Sequence, residues 1–406
     1  MERSFPFVVL NLLRKAGILA EIKGLPLWLV GGSVRDLLLE TPPKDLDIAV
    51  EGDALLFAPV LADEIGGKLI AKSQFGTARL QFEEWSLDLT SVRSETYEHP
   101  GALPQIKPSQ IYGDLARRDF TINTMAISLG SKDFGNLVDP FGGQADLSEE
   151  CIRVLHLASF IDDATRILRA IRYEVRLGFH MDTDTERLAR EGVSYLNTIS
   201  SDRLRRELEL AFKEPRPSAF LSRSQGLGVL ENIFPSLDWS DRTQETLERW
   251  LAYPQFDEPD LYIALLVGLL SIEEKKTLTE RLNLTTRWRQ ISDDSIKVEE
   301  RFPELRSQNI QPSEIFRLLQ GLQPAAIKAW LILTQDERTQ QHLFTYWRDY
   351  RAKKPWLTGD DLVALGIPRG PRIGLLLAAL NAARLDGLIE TIDEERDWVR
   401  RSKETC

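Results

Sequence analysis

The segment KDLDIAV carries two aspartates one residue apart, and these are residues whose type and spacing could do chemistry. Alternate side chains of a strand point to the same side, so Asp45 and Asp47 share a face. Leu46, Ile48 and Val50 point the other way, into a core. Adjacent carboxylates repel each other unless a cation lies between them. The pair could therefore hold divalent ions such as Mg²⁺, although a solvated edge strand is the commoner setting for such a pattern.

A glycine turn about ten residues earlier could receive an anion. In LVGGSVRD a strand ends, Gly31 and Gly32 follow, and a helix begins. Glycines let backbone N–H groups approach an anion, the helix N-terminus adds positive potential, and Ser33 can donate a hydroxyl. A third acid, Asp88 in WSLDLTSVR, lies on a strand that could run beside the aspartate pair. These residues together are consistent with a site for a metal-bound phosphate.

The elements that position these residues are short strands mixed with helices. Strand-like runs are PLWLV, LDIAV, GKLIA, TARLQF and WSLDLTSV. After about residue 150 the apolar spacing is helical, with breaks near Pro254, Pro303, Pro312 and Pro324. We predict an α+β chain with a mixed α/β head and small sheet at 1–148, followed by an elongated helical neck at 149–238. A helical body and tail complete it at 239–406.

Composition narrows the class of protein further. The 406 residues are 43% hydrophobic and 28% charged, which is typical of a globular protein, and we predict no membrane span. A net charge of −11 argues mildly against a nucleic-acid binder but permits a local basic surface. Cys151 and Cys406 lie far apart, so the sequence predicts neither a disulfide framework nor a zinc CxxC motif and favours the cytoplasm.

Further motifs join GGSVRD and DLD in an order that resembles a known family. They are LARRDFTINTMAI at 115–127, LVDPFGGQADL at 137–147, DDATRILRAIRYEVRLGF at 162–179 and the tail segment 354–387. The set resembles the class II tRNA nucleotidyltransferases, the CCA-adding enzymes and bacterial poly(A) polymerases of the polymerase-β superfamily. Thr124 stands where alanine is usual in that family, and Asp162 where glutamate is usual.

The resemblance implies a role for each motif. Asp45 and Asp47 would hold metal ions, taken to be Mg²⁺, with Asp88 as a third carboxylate. Triphosphate and ribose binding would fall to the following residues: Gly31, Gly32, Ser33, Arg35, Arg117, Arg118, Asp119 and Asn123. We expect Asp119 and Asn123 to share a face of a helix, being four residues apart; the alternative for them is a capping and salt-bridge cluster.

One helix is implied to select the incoming base in place of a nucleic-acid template. Asp162, Arg166, Arg169, Arg172 and Arg176 fall on one side of a helical wheel, for which a solvated charged face is the simpler interpretation. In the family an aspartate accepts from the exocyclic amine of the base and an arginine donates to its ring. By position these two are Asp163 and Arg166, and Arg169 and Arg172 of the same helix are also expected to bind the nucleotide.

The resemblance also implies tRNA, CTP and ATP as partners, and template-independent completion of the tRNA 3′ end as the function. Candidate RNA phosphate contacts are Arg203, Arg205, Arg206 and the run 348–355, each of which could equally be solvated. Residues 91–115 read as a flexible loop, which in the family helps the change from C to A addition.

The motifs leave three alternatives open: CC-only or A-only addition, a poly(A) polymerase, and a non-catalytic RNA-binding protein. The four histidines form no metal-binding spacing, and the oligomeric state is not predicted.

Overall fold

The computed structural model describes residues 5–41, 43, 45–73, 76–237, 239–253, 256 and 258–404. They form two compact units, Met1–Ile233 and Phe234–Cys406. The first unit contains a small sheet with helices, and the elements assigned in the second are helical, which confirms the α+β prediction. The predicted division near residue 148 stays a prediction, and Pro254 and Cys406 lie outside the described residues.

The first unit alternates strands and helices before it becomes mainly helical. Its strands are β1 (Leu27–Val30), β2 (Asp45–Val50), β3 (Lys68–Ser73), β4 (Thr77–Phe82), β5 (Trp85–Ser91), β6 (Arg93–Thr96), β7 (Gln105–Pro108), β8 (Ala126–Ser128), β9 (Leu137–Val138), β10 (Cys151–Ile152) and β11 (His180–Met181). Its helices are α1 (Phe7–Ile22), α2 (Gly32–Leu38), α3 (Ala54–Ile65), α4 (Ile111–Ala116), α5 (Gly143–Ser148), α6 (Ser159–Asp162), α7 (Thr165–Leu177), α8 (Thr183–Gly192), α9 (Ser201–Ala211), α10 (Pro217–Gly226) and α11 (Val229–Ile233).

Seven strands form the main sheet in the order β3-β4-β5-β2-β1-β8-β9. Its pairs are antiparallel except β2 with β5, which run parallel because α3, β3 and β4 make the crossover between them. In that parallel pair Asp47 lies opposite Asp88, so a neighbouring strand does bring the third acid beside the pair, as predicted. All five strands predicted from the sequence are present.

Alternation along β2 separates its acids from its core residues. Leu46, Ile48 and Val50 are at most 1% exposed, whereas Asp45 is exposed. The acidic side of the strand becomes apolar towards its end, where Ala49 packs in a cluster with Val30. The β-strand period therefore presents the carboxylates at one end of a buried strand, and the predicted core residues are confirmed.

Two predictions about local structure are wrong. The segment 91–115, predicted as a loop, contains an antiparallel hairpin of β6 and β7 and the first turns of α4. The helix predicted to start at Asp162 is two helices, because Asp163 has extended backbone angles (φ −146°, ψ 97°) between α6 and α7. Its short side chain caps α7 by accepting from the Thr165 backbone N–H at 3.0 Å.

The second unit is built from eleven helices in the part of the chain that is described. They are α12 (Asp241–Leu251), α13 (Pro259–Leu269), α14 (Ile272–Leu282), α15 (Thr286–Glu300), α16 (Phe302–Leu305), α17 (Pro312–Leu319), α18 (Pro324–Leu333), α19 (Glu337–Thr345), α20 (Gly359–Ala364), α21 (Pro371–Leu385) and α22 (Ile392–Glu404). A five-residue π-helix, Tyr346–Tyr350, follows α19. In the described residues no helix has the length and apolar character that a bilayer crossing requires.

The close approach of α1 to the chain after β8 yields the first testable prediction. A Cβ atom added to Gly17 would lie 1.8 Å from the carbonyl oxygen of Leu129, which is backbone and cannot swing away. Gly17→Ala should therefore lower the free energy of unfolding by about 1–3 kcal/mol or more, as overpacked core sites do. Denaturation by urea of the full chain measures this.

Gly226→Ala provides the matched control, because a Cβ atom there meets nothing within 4 Å. Gly226 ends α10, so alanine should leave stability unchanged or raise it slightly. Equal stability of the two variants would contradict the packing described for α1.

Candidate active site

One open cavity of about 490 Å³ in the first unit brings together most of the residues predicted from the sequence. Its lining includes the predicted residues Gly32, Arg35, Asp47, Arg117, Arg118, Asp119, Asn123, Asp163, Arg166 and Arg169. It also includes four residues that the sequence analysis did not predict as site residues: Glu95, Tyr97, Tyr173 and Arg176. The predicted site residues outside the lining are Gly31, Ser33, Asp45, Asp88 and Arg172.

Asp47 is the predicted metal ligand that lines this cavity, and its environment disfavours its ionised form. Burial raises the pKa of Asp47 to about 6, with Asp88 and Asp45 adding to the rise and Arg118 and Arg35 opposing it. An ordinary aspartate has a pKa near 4, so ionised Asp47 costs free energy that a nearby cation would offset.

Asp88 is held by an arginine of the neighbouring strand. Arg79 lies opposite Asp88 in the β4–β5 register, and its Nε and Nη2 donate to the two carboxylate oxygens at 2.7 and 2.6 Å. This bidentate pair uses two of the about four acceptor positions of the carboxylate and places a cation that competes with a metal beside it.

The three acids fit a divalent cation in chemistry but are not gathered around one point. Carboxylate oxygens are ligands that Mg²⁺ prefers. Yet in the described part of the chain, no three His, Cys, Asp or Glu side chains converge as a metal-holding group. Asp45 and Asp47 therefore remain the predicted pair, and Asp88 as the third carboxylate stays a prediction, for which Arg79 is a competing cation.

The glycine turn serves the site mainly by bracing it. Ser33 is 2% exposed; its Oγ donates to the Asp45 carbonyl at 3.0 Å and accepts from the Asp47 N–H at 2.8 Å. Its hydroxyl therefore braces β2, and the phosphate contact of Ser33 stays a prediction. Gly31 has φ +63°, a backbone conformation that favours glycine, and a Cβ atom there would lie 2.3 Å from Arg118 Nη1, so the end of that side chain would have to shift.

A single buried aspartate fixes the two arginines of the RRD motif. Asp114 is 1% exposed; one of its oxygens accepts from Arg117 at 2.7 Å and the other from Arg118 at 2.9 Å. Burial would raise the pKa of Asp114, but Arg118 and Arg117 outweigh it and lower that pKa. The spacing of three and four residues could have identified this partner from the sequence.

Asp119 and Asn123 contact each other, but not on an α-helix as predicted. Asn123 belongs to a 3₁₀ turn, Thr121–Asn123, and its Nδ2 donates to Asp119 Oδ1 at 2.9 Å. Its Oδ1 accepts from Arg35 Nη1 at 2.7 Å. Burial would raise the pKa of Asp119, but Arg169, Asn123 and the Phe120 N–H lower it to about 2. Asp119 is thus an ionised anchor for Arg169, whose Nε and Nη2 it accepts at 2.9 and 2.5 Å.

The charged side of α7 is not a solvated face. Arg166 and Arg172 are 5% and 8% exposed. Arg166 donates to Ser159 Oγ at 2.8 Å and to the Arg117 carbonyl at 3.0 Å, which holds its guanidinium at the cavity wall. Arg172 instead pairs with Glu207 and Glu214 at 3.4 and 3.5 Å, away from the cavity lining, so its predicted nucleotide contact is not supported.

The arginines of α9 are mostly engaged within the protein. Arg203 Nη2 donates to Asp163 Oδ2 at 2.6 Å. Arg205 pairs with Asp202 and Glu209, and Arg206 lies 3.8 Å from Glu209 with a side chain 65% exposed. Of the three, Arg206 alone keeps the exposure that an RNA phosphate contact needs.

Sequence reasoning missed cavity residues that belong to the β6–β7 hairpin and the far end of α7. Glu95 accepts from Arg117 Nη1 at 3.0 Å, and Tyr97 Oη lies 3.3 Å from Glu95 Oε2. Burial raises the pKa of Tyr97, so its hydroxyl stays protonated. The segment was predicted as a loop, so no strand alternation pointed these side chains at a site.

Comparison with known proteins agrees with this geometry. The family described as "Poly A polymerase head domain" matches residues 27–153, and "Probable RNA and SrmB- binding site of polymerase A" matches residues 178–240. An A-adding tRNA nucleotidyltransferase of Geobacter sulfurreducens is 36% identical over 97% of this chain, which spans 47% of that relative's length. An enzyme of the same name from Halalkalibacterium halodurans is 34% identical, over 96% of this chain and 92% of its own length.

A solved structure has the same fold along its length. The Thermotoga maritima CCA-adding enzyme in complex with tRNA is 32% identical and has a TM-score of 0.75, covering 98% of this chain and 96% of its own. The fold and the cavity thus define a head of the poly(A) polymerase type. The chain belongs to the tRNA nucleotidyltransferase family, as the motif resemblance indicated.

The raised pKa of Asp47 yields a prediction about metal-free stability. A folded pKa of about 6 exceeds the unfolded value, so the folded state binds the proton more tightly, and stability falls as the pH rises from about 4 to 6. At pH 7.5 with a chelator, Asp47→Asn should therefore be more stable than wild type by about 1–3 kcal/mol. Denaturation curves at pH 4.5 and 7.5 measure the difference, which should shrink at the lower pH.

Asp45→Asn is the control on the same strand, because Asp45 is exposed. Its replacement should change stability by less than about 0.5 kcal/mol. If Asp47→Asn gained no stability over wild type at pH 7.5, Asp47 would not be the costly buried carboxylate described.

Proposed function

We propose that the protein transfers nucleotides from ATP and CTP to the 3′ end of tRNA without a nucleic-acid template. One observation carries this proposal: a single cavity holds the acid Asp47, several phosphate-binding guanidinium groups and the Asp163–Arg166 pair. A nucleoside triphosphate has a part that suits each of them.

The cationic side of the cavity suits the triphosphate. Arg117 and Arg118 share Asp114 and are less than 20% exposed, yet both line the cavity. A guanidinium group can donate two N–H bonds to phosphate oxygens at once. A guanidinium that a carboxylate already holds loses little side-chain entropy when phosphate binds. We assign triphosphate binding to these two residues and to Arg35, whose Nη1 is fixed by Asn123.

Asp45 and Asp47 would hold the divalent cations, for which Mg²⁺ is our proposal. When bound, such ions neutralise the developing charge of phosphoryl transfer. The chain's own contribution is to brace β2 through Ser33 so that Asp47 keeps its place beside Arg118 and Arg35. Buried Asp47 favours a cation because its unpaired charge is costly.

The Asp163–Arg166 pair suits selection of the base. A carboxylate accepts from the exocyclic amine of adenine or cytosine, whereas guanine and uracil present a carbonyl at the same edge. Arg166 supplies the complementary donors and is fixed by Ser159 and by the Arg117 carbonyl.

The second unit offers a basic cavity that suits an RNA phosphate. Arg317, Arg351, Lys353 and Lys354 line a cavity of about 420 Å³ in that unit. It includes part of the 348–355 run predicted to contact RNA, whereas Arg348 is paired with Asp349 at 2.7 Å. A local basic surface on a chain of net charge −11 is consistent with tRNA as partner in the cytoplasm.

Terminal A addition is the step that the relatives' names favour. The two relatives with 36% and 34% identity are A-adding enzymes, whereas the solved structure with 32% identity is a CCA-adding enzyme. Full CCA synthesis therefore remains the second candidate, and it requires C addition from CTP in addition.

A direct assay tests both candidates. Purified protein with Mg²⁺ should extend tRNA ending in CC by one nucleotide from ATP, as measured by product mass. Extension of tRNA that lacks CC by CTP would identify a full CCA-adding enzyme. Asp47→Ala should lower the rate by about 10³-fold or more, because it removes the buried carboxylate at the reacting phosphate.

The control for this assay is Lys68→Gln, an exposed change on β3 that leaves the cavity intact. Long A tails on RNA of any sequence would favour a poly(A) polymerase instead. Unchanged incorporation by Asp47→Ala would overturn the proposed role of the acid.

The Arg79–Asp88 pair yields a separate prediction about metal binding. If Asp88 is the third carboxylate, Arg79→Gln should free it and tighten Mn²⁺ binding about threefold or more, since a competing cation is removed. Titration followed by electron paramagnetic resonance measures this without turnover.

Lys68→Gln is the matched control, since Lys68 is exposed on β3 and lies opposite Gln81. Weaker Mn²⁺ binding by Arg79→Gln, or equal effects in the two variants, would mean that Asp88 serves Arg79 and not the metal.

A further inference from the structure

Behind the base-selecting carboxylate stands an arginine from another helix. Arg203 of α9 donates through Nη2 to Asp163 Oδ2 at 2.6 Å, and its side chain is 26% exposed. Arg203 is not among the residues that line the cavity. Within the part of the chain that is described, Arg203 Nη2 donates to Asp163, and Arg203 Nη1 is buried without a hydrogen-bond partner.

The hydrogen bonds to Asp163 leave one acceptor position. Oδ1 accepts from the backbone N–H of Thr165 at 3.0 Å and from its Oγ1 at 2.6 Å. Oδ2 accepts from Arg203. A carboxylate offers about four acceptor positions, so among the described contacts one position of Oδ2 stays available to a ligand. That position belongs to the oxygen that Arg203 orients.

The same helix contacts two further arginines of α7. Glu207 follows Arg203 by four residues, on the same side of α9, and accepts from Arg172 at 3.4 Å while lying 3.8 Å from Arg169. Arg206, by contrast, is 65% exposed. α9 thus presents one ordered face to α7, and Arg203 is the member of that face at the base-selecting end.

We propose that Arg203 is a positioning residue for base selection: it orients Asp163 and keeps it an acceptor, so that the site favours bases with an exocyclic amine. This inference rests on the proposed function of Asp163. A carboxylate held on one oxygen by a guanidinium and on the other by Thr165 cannot rotate to present a different pattern. Guanine or uracil would then place a carbonyl against a fixed carboxylate oxygen, which is unfavourable.

The test compares nucleotides and not only rates. Arg203→Met should lower the ratio of ATP to GTP in kcat/KM about tenfold or more, through a raised KM for ATP, because a charge-assisted hydrogen bond that orients the acceptor is lost. Arg203→Lys should restore part of the ratio, and Arg187→Met, which removes an exposed ion pair of α8 outside the cavity lining, should leave it unchanged. Thermal unfolding verifies that each variant is folded.

Dependence on Asp163 is tested by a double-variant cycle. In an Asp163→Asn background, Arg203→Met should change the ATP/GTP ratio no further. A fall in incorporation that is equal for ATP and GTP would indicate a purely structural role and overturn the proposal. Equal effects of Arg203→Met with and without Asp163 would overturn it as well.

Equilibrium binding separates this proposal from the proposed function. Calorimetric titration of wild type and Arg203→Met with ATP and with GTP gives the affinity ratio without turnover. One outcome would be that wild type does not extend tRNA but discriminates ATP from GTP, and that Arg203→Met does not discriminate. The transferase proposal would then fall, and the role of Arg203 would stand. An affinity ratio that does not change, or the absence of ATP binding to wild type, would overturn the role of Arg203.

Discussion

The pairing of guanidinium groups with buried carboxylates is the constraint on which the cavity depends. Of the described residues that line it, six are arginines and four are acids. Arginines so close together repel each other, and each would move into solvent unless an opposite charge held it. Asp114 holds the RRD arginines, and Asp119 holds Arg169 of α7. The cavity therefore holds its cationic groups in place before any ligand binds, and the proposed phosphate contacts would form at low entropic cost.

These buried pairs connect the sheet-containing part of the first unit to its later helices. Asp119 follows α4 and Arg169 lies on α7, fifty residues later in the chain. Glu174, near the end of α7, pairs with Arg223 of α10. Removing one partner of such a pair leaves an uncompensated buried charge and commonly costs about 3–5 kcal/mol. The residues proposed to select the base are thus placed by the same contacts that stabilise the unit, so substitutions there should affect folding and binding together.

The sequence was sufficient for five of the seven strands of the main sheet and for the motif residues, but not for β8, β9 or the partners of the motif residues. Strand alternation and the glycine turn are local patterns, so the predicted strands, and the shared face of Asp45 and Asp47, followed directly from the sequence. Asp114 was also within reach, being three and four residues before its arginines. Arg79 opposite Asp88, and Arg203 behind Asp163, depend on strand order and helix packing, which a periodicity does not encode. The break at Asp163 was missed because its capping role replaces helical geometry at one residue.

The aspartates of the cavity differ in the direction in which their surroundings shift their pKa values. Burial raises the pKa of Asp47, whereas Arg169 and its neighbours lower that of Asp119, although both are buried aspartates of one cavity. The difference arises because Asp119 has a bidentate guanidinium partner and Asp47 has no such hydrogen-bonded partner among the described contacts. A carboxylate with a fixed partner builds the site, whereas one without a partner is available to an exogenous cation. By the same reasoning Asp88, paired with Arg79, belongs with the structural acids unless that arginine leaves. For Asp47, Asp88 and Asp119, the pairing state of the carboxylate, and not its position in a motif, thus indicates which of them is most available to a cation.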